Sequence, residues 1–131
     1  MDDRYAVAVA AGGLQSESDG TVRFPHRWTS DGVTVHGAFT GAHLLHLAIA
    51  GCVLNDLYRE AAASGVDPRG VRVSAEGGFD TDTWTSTGIT YSVEIDSDAP
   101  TDELARLLAT IDEVAEIPRA VRAGATVRRT A

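Results

Sequence analysis

The 131-residue chain contains no lysine; all eleven of its basic residues are arginine. That excludes a lysine Schiff base and the lysine of a phosphate-binding loop. It has one cysteine, Cys52, so no disulfide can close within it, which suits a reducing compartment. No apolar run approaches the roughly 18 residues a membrane span requires, so no membrane partner is expected. Positive charge is scarce. The net charge is −8 and the one basic cluster is the short Val127-Arg128-Arg129, which predicts no nucleic-acid partner. The opening "MDDRYAVAVAAGG" is acidic where a signal peptide is basic, and this predicts a cytoplasmic location.

What remains is an ordinary globular composition, 44% hydrophobic and 23% charged, at a length that suits one domain over residues 1–131. The first third carries strand patterns. "YAVAVAA" alternates valine with alanine, and "TVRFPHRW" and "GVTVHGAF" flank an Asp31-Gly32 turn signal. Together they predict a β-meander from about Tyr5 to Phe39. The period then changes. Leu45, Ala48, Ile49, Cys52, Val53, Asp56 and Leu57 recur at three- and four-residue steps, and Gly41 and Gly65 bracket the run. This spacing predicts a buried helix of about 22 residues with Gly65 as its C-cap.

Val71, Val73 and Ala75, then Ile89, Tyr91, Val93 and Ile95, alternate on either side of a polar turn around Trp84 and predict a β-hairpin. "APTDELARLLATIDEVAEI" predicts a second amphipathic helix, with Thr101 as N-cap and Asp102 and Glu103 in its first turn. Pro118 interrupts that pattern, "PRAVRAG" predicts a further helical turn, and "ATVRR" a terminal strand. The predicted order is β-β-β-α-β-β-α-α-β, an α+β domain.

Cys52 is the chemically distinctive residue. On a helix its neighbours at three, four and seven residues are Leu45, Ala48 and Ile49 on one side and Asn55, Asp56 and Arg59 on the other. The thiol therefore stands at a border between apolar and polar faces. Arg59 would lower its pKa, whereas burial and Asp56 would raise it. On these neighbours alone, packing is the simpler role. His43 and His46 share the helix, but His43 points opposite Cys52 and His46 is rotated about 120° from it. At spacing three they could hold a metal, yet no HExxH pattern or acidic third ligand accompanies them, and no metal is expected. The plainer reading is two polar residues near a helix start or facing a partner subunit. A cysteine–histidine dyad would need His26 or His36 from the strands. Arg23 and Arg27 share one strand face, where they could hold an anionic or peroxide-like oxygen or simply face solvent. Trp28 could line a pocket or serve the core.

The layout resembles the OsmC/Ohr family of small bacterial thiol-dependent peroxidases, from about Gly32 to Val127. The resemblance centres on "LLHLAIAGCVLNDLYREAAASGVDPRGVRVSAEG", where Ala50-Gly51-Cys52 is similar to the family's A-[AG]-C motif and Gly65 to Val73 to its lead into a strand. The tail "EIPRAVRAGATV" is similar to the family's "CPVSRAL…VEV" segment. The resemblance implies an intertwined homodimer, two antiparallel sheets around long central helices, and active sites at the dimer interface. It makes Cys52 the reactive cysteine, attacking hydroperoxides to give a sulfenic acid. It also exposes departures. The family's second cysteine falls on Ile117, its arginine-orienting glutamate on Ala42 or His43, and its catalytic arginine has Arg23 and Arg27 as nearest candidates.

These features imply a single-cysteine peroxidase recycled by an external thiol, without a cofactor. Cys52 would be the nucleophile, Arg23 or Arg27 the cation that orients the peroxide, and His43, His46, Asn55, Asp56 and Trp28 the pocket. Two alternatives share the scaffold: a biosynthetic small-molecule enzyme (isomerase, cyclase or hydrolase), and a non-catalytic binding dimer.

Overall fold

The computed structural model describes residues 4–130. Eight elements follow in order: β1 (Val7–Gly12), β2 (Val22–Phe24), β3 (Val33–His36), α1 (Gly41–Ser64), β4 (Gly70–Phe79), β5 (Ser86–Asp96), α2 (Thr101–Val114) and α3 (Glu116–Ala123). The strands form one antiparallel sheet in the order β2-β3-β1-β4-β5. The domain is α+β, as the alternation of periods predicts. A single chain supplies one sheet, and a second sheet belongs to the homodimer expectation.

The first three strands are not a meander, because β1 pairs with β3 and β4 and never with β2. The reason lies in what each strand has to bury. Val7, Val9 and Ala11 lie in the core and Ala10 is buried as well, as suits a strand paired along both edges. All three residues of β2 are exposed, which suits a short edge strand. Pro25, without an N–H to donate, follows β2, and the chain returns through a longer loop to Gly32 at φ +75°.

The apolar face of the sheet (Val7, Val9, Val71, Val73, Ala75) packs against Ala50, Val53, Leu54, Leu57 and Ala61 of α1, with Leu107 and Ile111 of α2 closing the cluster. Helix α1 begins where Thr40 accepts the His43 backbone N–H at 3.1 Å. It ends at Gly65, in the left-handed region at φ +75°, the cap its sequence predicts.

The close contact between α1 and the hairpin gives a direct test. A Cβ on Gly77 would lie 2.5 Å from the Gly88 carbonyl oxygen and 2.8 Å from Nε2 of the buried His46. Neither can yield without moving backbone or core. Gly77→Ala should lower stability by about 2 kcal/mol, read as a shift in the urea midpoint. An unchanged midpoint would show that the hairpin and α1 are not packed this tightly.

Three further expectations are corrected. Thr101 opens α2 as its first helical residue, and the N-cap position is Pro100, which makes no side-chain cap bond. The break between α2 and α3 falls at Ala115 rather than at Pro118. A proline in the first turn of α3 forfeits no helical hydrogen bond, whereas its ring would clash with the Val114 carbonyl in a continuous helix. The terminal "ATVRR" forms no strand, and Val127 is 94% exposed. A strand exists only through its ladder partners, and none of the five strands takes this segment up.

Candidate functional site

Cys52 projects from the middle of α1, half-buried, where the helix meets the start of α3. One turn later, Asp56 is fully buried on the same helix. The Cys52 thiol donates to Asp56 Oδ2 at 3.7 Å. The other carboxylate oxygen, Oδ1, accepts from the Asn55 side-chain amide at 3.2 Å and from Arg59 Nη1 at 3.2 Å. From α3 comes Glu116, and the donor atoms of Cys52, Asp56 and Glu116 all lie within 4.8 Å of one another. Such a set has the composition of a small metal site. The Arg59 guanidinium already supplies a cation to Asp56, so the group is complete as a charge cluster.

Burial pushes the Cys52 thiol above its ordinary pKa, and the nearby charges of Asp56 and Glu116 add to that rise. The backbone N–H of Ile117, in the first turn of α3, acts the other way and lowers it. Asp56 is raised as well, first by burial and then by Glu116, while Asn55 and Arg59 hold it down. At neutral pH the sulfur is therefore predominantly a thiol, and its proton lies against a carboxyl group.

The cluster continues outward. Asn55 Oδ1 lies 3.3 Å from Nε2 of His26. With the Asn55 amide nitrogen directed at Asp56, its oxygen faces His26 as the acceptor. His26 Nδ1 lies 2.8 Å from the Thr29 hydroxyl oxygen, whose proton goes to the Gly32 carbonyl at 3.0 Å. Burial lowers the His26 pKa, with the Asn55 bond opposing. A chain of contacts thus runs from the β2–β3 loop through Asn55 and Asp56 to the thiol.

Of the residues singled out in the sequence, the structure gathers Cys52, Asn55 and Asp56. His43 and His46 lie at the other end of α1, around Tyr5 and Phe79. His43 meets Thr40 Oγ1 at 2.6 Å and His46 donates from Nδ1 to the Tyr5 carbonyl at 3.0 Å. Within one chain, Arg23 donates to Gln15 Oε1 at 2.8 Å and to the Asp31 carbonyl at 2.7 Å. Arg27 lies 5.8 Å from the ring centroid of Trp28. Trp28 itself lines a hollow of about 370 Å³ with Tyr58 and Asp67. Neither arginine is among the groups set against the thiol.

Sequence reasoning missed Glu116 and the Ile117 amide, both more than sixty residues from Cys52. A signal did exist. The family pattern puts its second cysteine at Ile117, and two cysteines that form a disulfide must be neighbours in space.

Comparison with known proteins agrees with this fold. The structure aligns with the crystal structure of an OsmC-like hydroperoxide resistance protein from Jannaschia sp. CCS1, with a TM-score of 0.53 and 12% sequence identity. The alignment covers 95% of this chain and 92% of that one. At that identity the likeness is one of fold. No curated protein matches the sequence significantly. The model of the OsmC-like protein family matches residues 34–129, which include all of β3 but its first residue, every later element and the Cys52 cluster. The chain belongs to the OsmC-like protein family.

Proposed function

We propose that the chain is a thiol-dependent peroxidase-type protein in which Cys52 is the sole redox residue and an external thiol restores it. The observation that carries this reading is the position of the sulfur. It is half-buried at the junction of α1 and α3, and the Ile117 N–H at the start of α3 favours its anion. A helix N-terminus favours developing negative charge on sulfur or oxygen. In the reaction the sulfur attacks the terminal oxygen of an organic hydroperoxide, the O–O bond breaks, and the alcohol departs. Sulfur gives up two electrons and becomes a sulfenic acid. One external thiol condenses with it, releasing water, and a second releases Cys52 as a thiol. That cycle needs a reducing compartment. Arg23 or Arg27 orients the peroxide only if the assembled protein brings one of them to Cys52.

The test is stoichiometric. Reduced protein mixed with cumene hydroperoxide should lose one thiol per chain and consume one equivalent of peroxide within minutes, leaving a sulfenic acid that dimedone traps. No thiol loss on that scale overturns the reading. One observation favours the second reading, a small-molecule enzyme that moves protons. Three proton carriers lie within 4.8 Å at a thiol that is mostly protonated. An inert thiol toward peroxide, with the cluster intact, would select it.

The proposal includes a homodimer formed through α1. Leu44, Ala48, Gly51 and Asn55 lie on one stripe of that helix. Leu44 is 38% exposed, Ala48 is exposed, and the space above Gly51 is open. The small residues would let a second helix approach closely and wall the Cys52 site. In sedimentation at micromolar concentration the native chain should run as a dimer and Ala48→Arg as a monomer. A native monomer would remove this part of the proposal.

A further inference from the structure

Resting on the peroxidase reading, we infer that Asp56 and Glu116 act as a carboxyl pair that takes the Cys52 proton as the sulfur attacks and returns it to the departing oxygen. The pair arises from the fold. Asp56 is fixed on α1 and Glu116 opens α3, and the two bring acidic oxygens within 4.8 Å of each other and of the sulfur. Burial and the neighbouring Glu116 carboxylate hold Asp56 above its ordinary pKa, which makes its carboxylate a ready proton acceptor.

The division of labour within Asp56 follows from its contacts. Oδ1 is committed to Asn55 and Arg59, and Oδ2 is left facing the thiol. Oδ2 is the atom placed to receive a proton from sulfur. Glu116 is exposed, so it links the buried carboxyl to solvent. The charged and titratable groups around Asp56 are Cys52 and Arg59 on its own helix and Glu116 on α3. Glu60 reaches it through Arg59 and neutral His26 through Asn55.

The step balances. The thiol proton moves to Asp56 Oδ2, and the sulfur forms a bond to the terminal oxygen of the hydroperoxide. The O–O bond breaks, sulfur is oxidised by two electrons and the peroxide is reduced. The alkoxide oxygen then takes the proton back and leaves as alcohol. The sulfenic acid keeps the hydroperoxide's own hydroxyl. A positioned acid at a poor leaving group contributes about a hundredfold or more. It would serve here where, among the described residues of one chain, no arginine acts on the thiol.

The experiment compares two reactions of Cys52 in the full-length chain: oxidation by cumene hydroperoxide, and alkylation by iodoacetamide, whose iodide leaves without a proton. Both rates are measured from pH 5 to 10 for the native chain, Asp56→Asn and Glu116→Gln. Removing a carboxylate should raise alkylation near pH 7, because the thiol loses a repelling charge. Oxidation should nevertheless slow, so the ratio of oxidation to alkylation should fall by about tenfold or more. A ratio that is unchanged or higher in Glu116→Gln overturns the inference while leaving Cys52 a peroxidatic thiol. Glu116 is on the surface, so that variant decides the matter even if Asp56→Asn folds poorly. A native chain inert to hydroperoxide would sink the underlying reading, and this inference with it, before any variant is made.

Discussion

Cys52→Ser is expected to reduce hydroperoxide consumption to the rate of buffer alone. The chain offers no substitute nucleophile. It has no second cysteine, and its single methionine is Met1. A serine hydroxyl is close to the thiol in shape and would still donate to Asp56 Oδ2, so the helix and the cluster remain. What is lost is the polarisable sulfur and its accessible anion. The prediction is therefore chemical rather than structural, and two measurements check it together. Peroxide loss should vanish, and the thermal midpoint should move by less than about 3 °C. Peroxide consumption that survives in Cys52→Ser would show that the thiol takes no part. Full retention of some other activity in the same variant would exclude covalent thiol catalysis for that activity as well.

The reach of the sequence is seen most clearly along α1. Its apolar steps, its C-cap glycine and the border position of Cys52 are all local properties, fixed by spacing of three and four residues, and all were legible. So was the pairing of Asn55 and Asp56 with the thiol, since one helical turn enforces it. The order of the first three strands was not, because strand neighbours are decided by burial across the sheet. "YAVAVAA" is central because β3 and β4 both pair with it, one along each edge, which no alternation pattern declares. Glu116 and the Ile117 amide were invisible to local reasoning for the same cause. The contact that makes them part of the site joins α1 to α3 across the whole hairpin and α2. His43 and His46 were grouped with the site by proximity in sequence, whereas about two and a half turns of helix separate His43 from Cys52 and turn it to the opposite face.

Leu57→Ala should destabilise the domain by about 3 kcal/mol, within the range for a large-to-small change at a fully enclosed site. Leu57 has no exposed surface and lies in the cluster where α1 meets β1, β4 and α2. Its loss opens a cavity that Val53, Leu54 and Ala61, held on a rigid helix, cannot collapse to fill. At this chain length the change corresponds to a fall of roughly 10 °C in the thermal midpoint. Both proteins must be compared at one protomer concentration, because dimerisation contributes to apparent stability. Leu44→Ala is the matched control on the other face of the same helix. At 38% exposure Leu44 leaves little cavity in the single chain. Its substitution should cost under about 1 kcal/mol in folding while weakening self-association. If the two substitutions cost the same in folding, α1 does not divide its faces between core and partner, and the buried side that carries Asp56 would lose its distinction from the open side beside Cys52.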